Sequence, residues 1–329
     1  MRILSAIFIF VFAVLSISVF AQDPAKKKLT QYQPRIEGEW WSITGQPDLG
    51  EFSSDKQQPV DFTVWQAKDD TWQLMSCIRG VNSGGKGRLF YRWETKNLKD
   101  TAWTPMGIAM QADTTLGEEN MGLQAPYVFK EKGKYYMVYG DWNNICMATS
   151  EDGKTFTRTK NISGKPSLFA GPRTNPRDPM VLKVNGIFYL YYCAHNAKDD
   201  RTGQAQGSIY VRASKDLIRW SEPKVVAEGG SAQRQTQWYG GDIECPFVVQ
   251  YKDAFILFRN QKYGKDYLNT QYSSDTPLDF GINDDKYLVS QLSVAAPEII
   301  YSGGQYYIIS LKPGLNGMKM AKLNFEKVR

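Results

Sequence analysis

Histidine is almost missing from this chain: His195 is the only one in 329 residues. That excludes a metal site built from several histidines, and any serine–histidine–aspartate scheme that does not run through His195. Cysteine is scarce as well. Cys77, Cys146, Cys193 and Cys245 lie far apart and form no C-x-x-C pair, so no disulfide pairing can be read from their spacing. Cys77 and Cys193 close comparable apolar strands, where a free cysteine behaves as a small hydrophobe. Charge of one sign is also lacking. The net charge is +6, with basic and acidic residues interleaved, which excludes a nucleic-acid surface. After Thr30 there is no linker, no low-complexity block and no second long apolar run. What remains for chemistry is carboxylates.

The one long apolar run stands at the start. Met1-Arg2 gives a short positive beginning, Ile3 to Phe20 is apolar, and Val19-Phe20-Ala21 offers compact residues at the usual cleavage positions. The expected reading is a signal peptide over residues 1–21, cut after Ala21, and a secreted or periplasmic protein with no membrane attachment afterwards. A retained anchor is the alternative. No cysteine stands near the cut, so a lipid anchor is not indicated. Residues 22–35, with Lys26 to Lys28 in a row, read as a solvated leader, and residues 36–329 as a single all-β domain.

That domain is repetitive. Val60-Asp61-Phe62, Gln124-Ala125-Pro126, Arg177-Asp178-Pro179, Glu244-Cys245-Pro246 and Ala296-Pro297-Glu298 recur roughly 50 to 70 residues apart, near the spacing of propellers and arrays. About ten residues after each comes an apolar, aromatic strand, such as Phe188 to Cys193 or Tyr135 to Tyr139. Gly-containing turns separate the strands (Gly133, Gly186, Gly303-Gly304), and a third strand ends at an aromatic residue, Phe156 or Trp220. Short strands bounded by turn residues, with no 3.6-residue periodicity, predict an all-β fold. Four-stranded units stacked radially make a five-bladed β-propeller in which each blade's first strand lines the axis. Met318 to Phe325 is expected to close the ring by completing a blade begun near Trp40-Trp41.

Three of the five repeats carry an acid at the same point of the pattern, in register with one another: Asp61, Asp178 and Glu244. Cleaving a glycosidic bond needs one protonated carboxyl for the leaving group and one ionised carboxylate on the opposite face. A third acid can hold the proton on the first or stabilise the developing positive charge. Arg177 favours an ionised Asp178, in a stabilising role. Glu244 leads into the apolar Pro246-Phe247-Val248, where partial desolvation suits a general acid.

On these motifs the chain resembles the five-bladed β-propeller glycoside hydrolases, the group that includes families 43 and 32. Arg177-Asp178-Pro179 and Glu244-Cys245-Pro246 are similar to its blade-three and blade-four motifs, and Asp61 falls at its blade-one aspartate. The resemblance implies Asp61 as general base or nucleophile, Asp178 as transition-state stabiliser or pKa modulator, and Glu244 as general acid. Asp61-Phe62 departs from the Asp-Pro common at that place. The two motifs lean towards a family 32-like retaining fructan hydrolase. A single propeller leans towards a family 43-like arabinofuranosidase or xylosidase, which is the reading adopted. The resemblance allows a Ca²⁺ in the central channel, but with no dense run of oxygen ligands no cofactor is expected to be required.

Several residues stand near these motifs with two readings each. Asp242 is an alternative acid to Glu244. His195 and Asn196 could meet a hydroxyl or a cation, or be structural. Trp142 and Trp238 break the repeat in loops and suit sugar stacking, whereas the recurring tyrosines are mostly core. Arg259 ends a strand and could contact substrate or form an ion pair. Asn161-Ile162-Ser163 matches a glycosylation acceptor. The expected protein is an exported monomer cleaving a plant or algal oligosaccharide or polysaccharide. A carbohydrate-binding propeller without catalysis and a protein-interaction platform are the competing functions.

Overall fold

The structure is a computed structural model that describes residues 29–195, 207–235 and 243–328. It is an all-β, five-bladed propeller. Blade one is Gln58–Gln66, Trp72–Arg79, Arg88–Thr95 and Thr104–Met110, hydrogen-bonded in that order. Blade two is Gln124–Glu131, Lys134–Gly140, Asn144–Ser150 and Ser167–Ala170, with the short Thr157–Arg158 also on its third strand. Blade three is Thr174–Val184, Ile187–His195, Gly207–Ser214 and Lys224–Ala227. Blade four is Glu244–Tyr251, Ala254–Lys262, Leu268–Ser274 and Leu288–Leu292. In blade five, Glu298–Ser302, Gln305–Leu311 and Met318–Lys327 are joined by Tyr32–Ser42 from the other end of the chain. No described helix is long and apolar enough to cross a membrane.

Ring closure follows the expectation and extends it. Tyr32 pairs with Lys327 and Trp41 with Met320, so the first and last strands complete one sheet. The strand starts at Tyr32, four residues inside the stretch read as solvated leader; Tyr32 is buried and its backbone N–H donates to Ser273 Oγ at 3.0 Å. The signal segment and residues 22–28 lie outside the described residues.

Local sequence explains the strands. Asn185-Gly186 takes φ of 48° and 81°, the left-handed pair that a two-residue hairpin requires and that Asn and Gly adopt most readily. Aromatic second strands then fill the space between blades: Tyr135, Tyr139, Tyr191 and Tyr192 are fully buried. Each such ring contributes roughly 1.5–3 kcal/mol by leaving water. The four cysteines are free thiols; Cys77 and Cys193 are buried as the apolar reading expected, and Cys146 is buried as well.

One backbone feature sets the site. Near the start of every innermost strand an equivalent residue has positive φ: Asp61 (33°), Ala125 (44°), Asp178 (55°), Cys245 (47°) and Ala296 (44°). In the first four blades the ladder to the second strand slips at that point, as at a β-bulge. Proline follows in four cases, where no N–H is needed for the ladder, and Phe62 in the fifth. Two residues further on, side chains reach the neighbouring blade. Thr63 Oγ1 accepts from Val128 N at 3.1 Å, the Tyr127 hydroxyl donates to the Val181 carbonyl at 3.3 Å, and Glu298 Oε2 accepts from Val64 N at 3.1 Å.

Candidate active site

The five positive-φ segments converge on the axis and line a cavity of about 30 Å³, room for a water or two. Asp61, Asp178 and Cys245 stand there together, each placing a donor atom within 4.8 Å of the others. Here the expected register needs correction. Asp61 and Asp178 occupy the positive-φ position, but in blade four Cys245 does, and Glu244 precedes it. Glu244 is therefore the counterpart of Arg177, not of Asp178. A bulge brings two consecutive residues to the axis, which is how an acid one place out of register still joins the cluster.

Arg177 organises the mouth. Its Nε lies 3.1 Å from Glu244 Oε1 and 3.8 Å from Asp178 Oδ2. One NH2 stands 3.0 Å from His195 Nε2. A guanidinium can only donate, so that imidazole nitrogen accepts and the ring proton sits on Nδ1. The setting of Glu244 differs from the apolar one expected of a general acid: its side chain is 14% exposed and paired with an arginine that is 5% exposed. In this arrangement the arginine favours the carboxylate.

The two bulge aspartates are held differently. Asp178 is buried, and its Oδ2 accepts from the Cys245 backbone N–H and from the Cys193 thiol, each at 3.0 Å. Asp61 Oδ1 accepts from the Tyr263 hydroxyl at 3.0 Å and the Cys245 thiol at 3.3 Å. Burial pushes the Asp61 carboxyl above the ordinary aspartate range and the charge of Asp178 adds to this, against opposition from Arg88, Cys245 and Tyr263.

Of the flanking residues, His195 joins the cluster. Trp142 sits in the loop between two blade-two strands at φ 80°, held by Asp141, whose Oδ1 accepts from Asn143 N at 3.0 Å. Its ring is flanked by Lys86 Nζ at 4.5 Å and Arg88 Cζ at 5.3 Å. Trp238, Asp242 and Asn196 lie outside the described residues. Arg259 is corrected: it is buried inside the protein and is no substrate contact. It donates to Gln261 Oε1 at 2.7 Å, to the Gly229 carbonyl at 3.1 Å and to the Tyr272 hydroxyl, neutral acceptors in place of the ion pair that was the other reading.

The sequence reading missed Tyr263, Arg88 and Glu298. Arg88 follows the Gly84-Gly85-Lys86-Gly87 turn, a local signal of a special loop. Tyr263 has none, because it reaches Asp61 across 202 positions of chain. Glu298 was in view within its repeat, but as a residue past the acid position.

The channel does not suit Ca²⁺. That ion takes six to eight oxygens, whereas the Asp61–Asp178–Cys245 group offers two carboxylates and a soft sulfur. Burial and three neighbouring carboxylates keep the Cys245 thiol protonated by pushing its pKa well up. Four prolines line the axis beside it.

Comparison with known proteins completes the picture. The family described as glycosyl hydrolases family 32, N-terminal domain, matches residues 82–299. No match was found among curated proteins. A thermostable family 43 glycoside hydrolase is similar in fold, with a TM-score of 0.57 at 17% identity over 87% of this chain and 93% of that one. An endo-1,4-β-xylanase from Bacteroides thetaiotaomicron gives 0.59 at 16%, over 80% and 91%. A β-xylosidase gives 0.56 at 14%, over 82% and 93%. Matched over residues 82–299 and carrying its acids at the axis of a five-bladed propeller, the chain belongs to the family 32 glycosyl hydrolases and is a glycoside hydrolase.

Proposed function

We propose that this glycoside hydrolase removes a pentose unit, arabinofuranose or xylose, from a plant or algal oligosaccharide or polysaccharide. Glu244 protonates the glycosidic oxygen. Asp61 either takes a proton from the attacking water or attacks the anomeric carbon itself. Asp178 stabilises the positive charge that develops on the sugar ring. The observation that carries this reading is Arg177, which lies against both Glu244 and Asp178 and so ties the second and third acids into one cluster at the axis. Arg177 also tempers Glu244: substrate drawing the guanidinium towards its own hydroxyls would weaken the ion pair and free the carboxyl to take up a proton. Trp142 offers the sugar a stacking face. The protein acts as an exported monomer after loss of residues 1–21, and needs no cofactor. The pentose assignment draws on the likeness to the xylanase and xylosidase folds over 80% and 82% of this chain.

A second reading, a retaining fructan hydrolase, is favoured by the family 32 match and by the Arg-Asp-Pro and Glu-Cys-Pro wording. Sugar release from arabinan, xylan, inulin and levan oligosaccharides, with Glu244→Gln beside wild type, separates the two. Pentose released by wild type and lost in the variant supports the first reading. Fructose with retained anomeric configuration by proton NMR replaces it with the second, and release undiminished by Glu244→Gln removes the assigned acid.

A further inference from the structure

We infer that Tyr263 is a positioning residue for Asp61, fixing one oxygen of that carboxylate to the protein and leaving the other for the reaction. The inference rests on Asp61 being the base or nucleophile. It starts from a contrast between two aspartates at the same bulge position of different blades. Asp178 is anchored by a backbone N–H and a buried thiol close to its own blade. The hydrogen bonds described for Asp61 come from side chains of blade four, and both fall on Oδ1.

The donors have a direction. An ionised carboxylate only accepts, so the Tyr263 hydroxyl must give its proton to Asp61 Oδ1. The Cys245 sulfur lies 2.7 Å from the Tyr263 oxygen and 3.3 Å from Asp61 Oδ1, and its one proton is shared between these two acceptors. Burial raises the pKa of both groups well above their ordinary values, with the surrounding acids adding to it, so both protons are in place. The outcome is a triangle of Cys245, Tyr263 and Asp61 Oδ1. It restrains the carboxylate's rotation, leaves Oδ2 without a described protein partner, and lowers the basicity that burial would otherwise impose. Asp61 is the aspartate followed by Phe62 in place of proline, and it is the one with this side-chain tether.

Two readouts test this, one independent of turnover. In protein labelled with ¹³C at the aspartate carboxyls, with Asp61→Asn giving the assignment, Tyr263→Phe should move the Asp61 titration to higher pH. In kinetics, kcat should fall roughly 10- to 100-fold with KM little changed, and the acidic limb of the kcat/KM profile should shift upward in pH. Cys245→Ala should move both readouts the same way by less. An Asp61 titration unchanged in a folded Tyr263→Phe protein overturns the inference, as does lost activity with an unmoved acidic limb. If wild type releases no sugar while the Asp61 titration still moves, the hydrolytic reading fails and the tether stands.

Discussion

Arg177 and Glu244 form an ion pair between blades three and four, Nε to Oε1 at 3.1 Å, with both side chains largely withdrawn from water. Each comes from the residue just ahead of its blade's bulge. The pair therefore ties together two neighbouring strands as well as two functional groups.

Replacing Arg177 by Gln removes the guanidinium that pairs with Glu244 Oε1. Breaking a largely buried pair from one side destabilises by about 3–5 kcal/mol, visible as a lowered urea midpoint. Glu244→Gln should cost less, because the amide still accepts from the guanidinium. Equal losses for the two variants would contradict this asymmetry.

Glu298 sets a pH dependence of stability. Burial raises its carboxyl well above the ordinary glutamate range. Between the unfolded and folded pKa values the native state binds the extra proton, so stability falls as pH rises, by up to about 1.4 kcal/mol per pH unit. Glu298→Gln keeps an acceptor for Val64 N and removes the titration. Urea melts from pH 4 to 8 should show wild type losing ground to the variant as pH increases, with the gap smallest at the acid end. A constant gap would show that Glu298 titrates normally.

Trp142→Ala should raise KM roughly tenfold, equivalent to about 1.4 kcal/mol of lost stacking, with kcat little changed. Trp142→Gly should lose the same affinity yet recover stability, since φ of 80° suits glycine. Steady-state kinetics beside thermal melts would distinguish the two effects.

Arg259→Lys should be a stability variant. Lysine cannot reproduce the fork that serves Gln261, Gly229 and Tyr272 together. A loss of about 2 kcal/mol with unchanged kcat/KM is expected at temperatures where the protein stays folded. A selective rise in KM would restore Arg259 as a substrate contact.

Much of this was legible in the sequence because it is local. Asn185-Gly186 announces its hairpin, the aromatic runs announce second strands, and Trp40-Trp41 with Met318–Phe325 announce the closing blade. Asp61, Asp178, Arg177 and His195 were visible since strand ends are where a propeller gathers functional groups. The one-residue offset of Glu244 is marked only by proline: Pro179 and Pro246 align Cys245 with Asp178, a register that matching acid to acid obscures. Arg259 was misplaced for a different reason: position along a strand says little about whether a cation points to the axis or into the sheet. Tyr263 belongs to a third class, contacts that exist only once the ring is closed.

The recurring left-handed residue gives the molecule five nearly equivalent sockets around one axis, filled by Asp, Ala, Asp, Cys and Ala. A sugar has no fivefold symmetry, so an evenly decorated ring could not tell one end of a glycosidic bond from the other. The two alanines stand on either side of Asp61 in the ring, so that it faces Asp178 and Cys245 across the axis. The backbone repeats, and by breaking that repetition in its side chains the sequence gives a featureless pore a polarity that can orient a substrate.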